Sequence, residues 1–278
     1  MTDFERAYGD ALKEFTEDLI RFESTSGREA PAQERVEEEF RDLDFDVVRW
    51  EADAEELAQL PSFPEADEID AENRPSVAGV LEFGDPDAGP TFVLNGHIDV
   101  VPVSEESWDT DPFEPHWDGN ELTGRGAADM KTNLALLVYV AKYLHDEHAD
   151  DFDGRLVVES VTGEEEGGIG APAAALDNPY PFERDAALIT EPTDLDVATA
   201  TEGVLMTKLS LTGRSAHAAT RWRGESVLPH FERLRNAIED LEAERHERET
   251  HPLYDYPINW PVNVGVVEAG DWASNVPA

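Results

Sequence analysis

Apolar residues recur at three- and four-residue steps through Phe4, Tyr8, Leu12, Phe15, Leu19 and Phe22, which predicts a helix with one buried stripe at the start of the chain. Pro31 to Leu43 repeats the pattern more weakly. Short runs rich in β-branched and apolar residues follow at Phe45–Trp50, Val77–Phe83 and Thr91–Leu94 and read as strands. Ala52 to Arg74 carries Pro61, Pro64 and many acids without a period, and reads as an irregular surface excursion. Beyond Gly126 the pattern predicts a long helix over Asp129–His145, a strand over Arg155–Thr162, a helix over Gly170–Leu176 and a strand over Ala186–Thr190. Strands alternating with helices mark an α/β sheet, here with helices expected on both faces. A β-like run at Val204–Thr212 and a helix-like run at Glu225–Glu244 predict a second, smaller α+β unit, so the expected domains are 1–197 and 198–278.

Charge changes this picture more than size does. The 278 residues include 63 acids and 21 Lys or Arg, a formal net charge of −42, yet 40% are hydrophobic, enough for a packed core. Lysine occurs only at Lys13, Lys131, Lys142 and Lys208, and the acids are spread along the chain with no single acidic tail. Such a surface repels itself at low ionic strength and is screened at molar salt, where the Debye length falls to about 3 Å. In this the chain resembles proteins of salt-accumulating halophiles. Nucleic acids and anionic membranes are disfavoured as partners, because both require cationic patches. No run approaches the ~18 apolar residues of a membrane span, and Met1 to Ile20 lacks a basic or apolar leader pattern, so a cytoplasmic protein is expected. With no cysteine, a metal can be held only by His, Asp and Glu.

Those residue types cluster just after β-type runs: His97 and Asp99, Asp129 beyond Gly124–Gly126, Glu164–Glu165, and Glu191. In open α/β sheets, sites form beyond the carboxyl ends of strands, where residues distant in sequence meet. One imidazole with several carboxylates suits zinc, cobalt or manganese. With two ions, one carboxylate must bridge them while another, unligated, accepts a proton from water, and Asp129 and Glu164 suit those two jobs. An acidic triplet such as Glu164–Glu166 arises by chance about three times in a chain this acidic, and Glu37–Glu39 is another. The surrounding residues carry more weight. Asn95-Gly96-His97-Ile98-Asp99 ends an apolar strand, and Gly124-Arg125-Gly126-Ala127-Ala128-Asp129-Met130-Lys131 opens a helix.

Taken in order, His97 to Pro102, Gly124 to Lys131, Glu164-Glu165 before Gly167-Gly168-Ile169-Gly170, and Glu191-Pro192-Thr193 resemble motifs of the M20 metallopeptidase family, which includes acetylornithine deacetylases, succinyl-diaminopimelate desuccinylases, aminoacylases and glutamate carboxypeptidases. The resemblance implies that His97, Asp129 and Glu191 hold a first ion and that Asp129 and Glu165 hold a second. It also implies Glu164 as general base and Asp99 as the partner that orients or polarises the His97 ring. Reading Glu165–Glu166 as the base–ligand pair stays open, although spacing to Gly168 and Gly170 favours Glu164–Glu165. Gly213 to Ala219 resembles the family's loop whose histidine, here His217, steadies the substrate oxyanion from a neighbouring subunit. Asn263–Gly270 and Asn275-Val276-Pro277 resemble a lid strand and the turn after it. The second unit would then be a lid and dimerisation domain, incomplete here. Family members continue to a late histidine that completes the second metal site, whereas this chain stops at Ala278, so weak occupancy of that site and an impaired enzyme are expected. The implied activity is metal-dependent hydrolysis of N-acyl amino acids or small peptides by a homodimer. Two other readings are a non-catalytic acidic module that binds cations or a partner, and a dinuclear phosphoesterase.

Overall fold

A computed structural model describes the chain except for Met1, Glu105, Glu106 and Asp255. Two compact units emerge, Met1–Asp196 and Val197–Ala278. The first begins with α1 (Asp3–Arg21), whose start is fixed by a capping box in which Thr2 Oγ1 accepts the Glu5 N–H at 3.1 Å. Its apolar stripe buries Phe15, Leu19 and Ile20. Then follow α2 (Ala30–Asp42), β1 (Asp46–Trp50), a single turn α3 (Ala54–Leu57), β2 (Ser76–Phe83) and β3 (Thr91–His97). A hairpin of β4 (His116–Asp118) and β5 (Glu121–Thr123) turns on Gly119-Asn120, and α4 (Thr132–His148), β6 (Gly154–Val161), α5 (Gly170–Leu176) and β7 (Ala186–Ile189) complete the unit.

Among the described residues the central sheet has five strands in the order β1-β2-β6-β3-β7. β3, β6 and β7 run parallel, and β2 opposes both of its neighbours. Alternation along the strands separates two apolar layers. Val77, Leu81 and Phe83 of β2, Leu94 of β3 and Val158 of β6 pack with Phe15 and Leu19 of α1, Val36 and Phe40 of α2 and Leu134 and Val138 of α4. Across the sheet, Ala78, Val80, Val93 and Val157 pack under Tyr180, with Trp50 and Phe182 at the margin. The long helices therefore share one face, and the other is covered by the aromatic segment after α5. β7 is exposed along its length, Leu188 and Ile189 included.

The helix expected over Asp129–His145 begins only at Thr132: Asp129 (φ −125°, ψ 97°) and Met130 (φ −133°, ψ 31°) are not helical, and the Asp129–Met130 peptide bond is cis. The hairpin β4–β5 escaped the pattern because three-residue strands carry no readable period.

In the second unit, α6 (Leu228–Arg248) and a short 3-10 turn (Ala218–Arg223) form, with isolated bridges Arg214–Glu225 and His217–Asn275. Among the described residues neither Val204–Thr212 nor Asn263–Gly270 forms a strand, unlike the expectation for those two runs. Alternating apolar residues make a half-buried strand only beside another strand that takes up their backbone groups. Here Val204, Leu205 and Met206 are 79–88% exposed.

Candidate metal centre

Register between the parallel strands brings the candidate residues together. His97 ends β3 opposite Val161, the last residue of β6, and Asn95 lies opposite Ile189, the last of β7. Glu164 and Glu165 follow β6 by three and four residues, and Glu191 follows β7 by two. All therefore lie past the carboxyl ends of three neighbouring parallel strands. Asp129 reaches the same place from the turn before α4. That turn depends on Gly126, whose φ of +80° suits glycine and whose absent Cβ would lie 2.8 Å from Val100 Cγ1 and 2.9 Å from Lys131 Cδ. Asp129 precedes two anchors. Met130 is fully buried against Gly96, and buried Lys131 donates from Nζ to the Leu19 and Phe22 carbonyls, each at 2.8 Å, at the end of α1.

The ring of His97 is 1% exposed, whereas Asp129, Glu164 and Glu191 open to solvent. His97 Nε2 is 2.9 Å from Asp129 Oδ1, 3.9 Å from Glu191 Oε1 and 4.0 Å from Glu164 Oε2. Two sets, His97–Asp129–Glu165 and His97–Glu164–Glu191, each have ligand atoms within 4.8 Å of one another. A buried imidazole at the base of a carboxylate ring is a donor set that fits a divalent cation such as zinc. Nδ1 lies 2.9 Å from the Asp99 carbonyl oxygen, which can only accept, so Nδ1 carries a proton and Nε2 is left to face Asp129. A carboxylate and a ring nitrogen 2.9 Å apart require a cation between them, either a proton or a metal ion. Burial lowers the His97 pKa, but Asp99, Asp129, Glu191 and Glu164 outweigh it and raise it overall. Burial and the neighbouring Asp129 raise Glu165, and burial raises Glu191 against the pull of His97.

Asp99 lies beside the His97 ring, and its charge raises the His97 pKa. Its carboxylate is 3.7 Å from Nδ1, beyond hydrogen-bond length, and accepts instead from the backbone N–H of Glu164 (3.2 Å) and of Glu165 (3.0 Å). The ring is oriented by the Asp99 main chain, and the acid side chain holds the glutamate turn. Glu166 points elsewhere, accepting from Arg74 Nη1 at 2.7 Å. His217 lies in the second unit, where its Nδ1 accepts from the Ala219 N–H at 3.1 Å. Sequence reasoning missed Arg74 and also Asn133, whose Nδ2 donates to the Thr190 carbonyl at 2.6 Å and pins the residue before Glu191. Neither sits in a motif, and their partners are 92 and 57 residues away.

Among relatives, the chain is 32% identical over 229 residues to a succinyl-diaminopimelate desuccinylase of Methylorubrum populi, covering 79% of this chain and 54% of the relative. It is 30% identical over 275 residues to a probable carboxypeptidase of Aspergillus terreus, covering 95% of this chain and 57% of that one. The chain thus spans about half the length of the curated relatives it matches. Its fold is shared with the di-peptidase Dug1p from Saccharomyces cerevisiae, with a TM-score of 0.52, 19% identity, and 68% of this chain and 40% of that one covered. The sequence model of peptidase family M20/M25/M40 matches residues 93–259, a stretch that holds every residue of the carboxylate–imidazole cluster, and the chain belongs to that family.

Proposed function

We propose that the chain acts as a metal-dependent hydrolase of the amide bond in N-acyl amino acids, with N-acetylornithine and N-succinyl-diaminopimelate as the first substrates to test and small peptides next. The observation that carries this reading is the buried His97 ring, its Nδ1 tied to a carbonyl and its Nε2 turned toward Asp129 amid Glu164, Glu165 and Glu191. His97, Asp129 and Glu191 would hold one divalent ion, zinc, cobalt or manganese, and Asp129 with Glu165 a second. A bound ion supplies positive charge that polarises the amide carbonyl and makes water more acidic.

The chain's own residues supply the proton path. Glu164 takes a proton as water adds to the carbonyl carbon, then hands it to the amine nitrogen as the C–N bond breaks, releasing a carboxylate and an amine. Its backbone is fixed for this by Asp99. The engagement of Glu166 by Arg74 supports Glu164–Glu165 as the base–ligand pair. An Nδ1 that accepts from Ala219 leaves the His217 proton on Nε2, the tautomer able to donate to an oxyanion. Action of His217 on a second copy's substrate, a homodimer built through the second unit, and a cytoplasmic location belong to the same proposal. No described helix is long and apolar enough to cross a membrane.

The test is Glu164→Gln in molar salt, with acyl-amino-acid and phosphoester substrates assayed side by side. Amide hydrolysis should fall by about 10²–10⁴-fold while divalent-ion binding persists. A rate near that of the unmodified protein, or turnover of phosphoesters alone, contradicts the reading.

A further inference from the structure

Three consecutive glutamates follow β6, and a fold that uses two of them must keep the third away. The turn that carries them bends at three glycines: Gly163, Gly167 and Gly168 have φ of 72°, 101° and 79°, conformations that glycine tolerates best. Its internal hydrogen bonds, Gly167 N–H to the Glu164 carbonyl at 3.0 Å and Gly168 N–H to the Gly163 carbonyl at 2.8 Å, close the loop without choosing which carboxylates face His97. Like charges on adjacent residues also repel.

Two anchors outside the turn make that choice. On one side, the Asp99 carboxylate takes the N–H groups of Glu164 and Glu165. On the other stands Arg74, fully buried two residues before β2. Its Nε donates to Glu29 Oε1 at 2.9 Å, and its Nη1 donates both to the Asp70 carbonyl at 2.9 Å and to Glu166 Oε2 at 2.7 Å. The Arg74 carbonyl also accepts from Thr162 Oγ1 at 3.2 Å. Glu29, at the cap of α2, is itself fully buried, so one end of the guanidinium is fixed in the core and the other reaches the half-exposed Glu166. A planar guanidinium makes such a link in a defined direction, as an ammonium does not.

We propose that Arg74 is a positioning residue. Through Glu166 it pulls the third glutamate outward and so orients Glu164 and Glu165 toward His97, which makes divalent-ion affinity depend on an ion pair that touches no ligand. This rests on the metal-binding role proposed above. Removing Arg74 would strand the buried Glu29 charge and endanger the fold. Glu166 can be changed at its exposed end.

The experiment titrates zinc into the metal-depleted 278-residue chain in molar salt, for the unmodified protein, Glu166→Ala, Glu166→Gln and His97→Ala. Thermal melting and amide hydrogen exchange at Glu164 and Glu165 are followed in parallel. Glu166→Ala should melt close to the unmodified protein, bind zinc at least about ten-fold more weakly, as partners behind a ligand commonly do, and exchange faster at both amides. Glu166→Gln retains an oxygen that accepts from Arg74 Nη1 and should recover affinity to within about three-fold. Unchanged zinc affinity in Glu166→Ala, with binding lost in His97→Ala, overturns the positioning role and leaves the metal centre standing. A Gln variant as weak as Ala also overturns it, because lost charge would then be the cause. Zinc binding that survives His97→Ala overturns the metal centre itself, and unaltered exchange at Glu164 and Glu165 in Glu166→Ala overturns the positioning role whatever the metal result.

Discussion

His97 Nε2 lies 2.9 Å from Asp129 Oδ1, an imidazole nitrogen facing a carboxylate across a gap that a proton or a metal ion fills. The pair comes from segments that share no local pattern. His97 is carried by the end of a buried strand. Asp129 is carried by a non-helical turn between Gly126 and α4, held down by buried Met130 and Lys131. The chemistry at the rim is therefore set by packing beneath it.

Asp99→Asn tests the hold on the glutamate turn. Asparagine keeps one acceptor oxygen but turns an NH₂ toward one of the two N–H groups that the 2%-exposed carboxylate now satisfies. The expected outcome is a stability loss of about 1–3 kcal/mol. Zinc affinity, read by titration, should fall about ten-fold or more while the His97 ring stays oriented by the main-chain carbonyl.

Tyr180 offers a prediction on the alkaline side. Burial, and then the neighbouring charge of Glu159, which accepts the Tyr180 hydroxyl at 2.8 Å, push its pKa well above the ordinary value near 10. A pKa raised on folding contributes stability that is complete below about pH 10 and is lost as pH rises beyond it, with a slope of up to about 1.4 kcal/mol per pH unit. Tyr180→Phe should cost about 1–3 kcal/mol near neutral pH by removing a partner of the buried Glu159. It should also flatten the alkaline decline of the melting temperature. An equally steep decline in the variant would count against this linkage.

Salt should stabilise the chain. With a net charge of −42, raising sodium chloride from 0.1 M to 2 M screens repulsion between exposed acids, and the melting temperature should climb by about 5–10 °C. A melting temperature that falls or stays level shows that self-repulsion is not what limits stability.

Legibility followed the length scale of each interaction. The α1 stripe and the alternation of β2 and β6 could be read because burial repeats within a few residues. The residues that gather around His97 could be read because strand ends carry glycine-flanked motifs. The start of α4 was misplaced by three residues, since tertiary anchoring of Met130 and Lys131 overrides the helical pattern there. Val204–Thr212 has the alternation of a strand, but alternation cannot supply the neighbour that a strand needs. The place of Asp99 beside His97 is legible, but its hold on the Glu164 and Glu165 N–H groups is not, because its backbone oxygen and its carboxylate serve different residues. Arg74 was invisible: nothing near Asn73-Arg74-Pro75 announces partners at Glu29 and Glu166.

The central claim, that distant carboxylates and one imidazole form a divalent-ion site, is tested most directly by zinc content per chain after exhaustive dialysis in molar salt, for the unmodified protein and for His97→Ala. At least one tightly held ion in the former and none in the latter is the predicted result. Equal zinc in both, or none in either after loading, would contradict it.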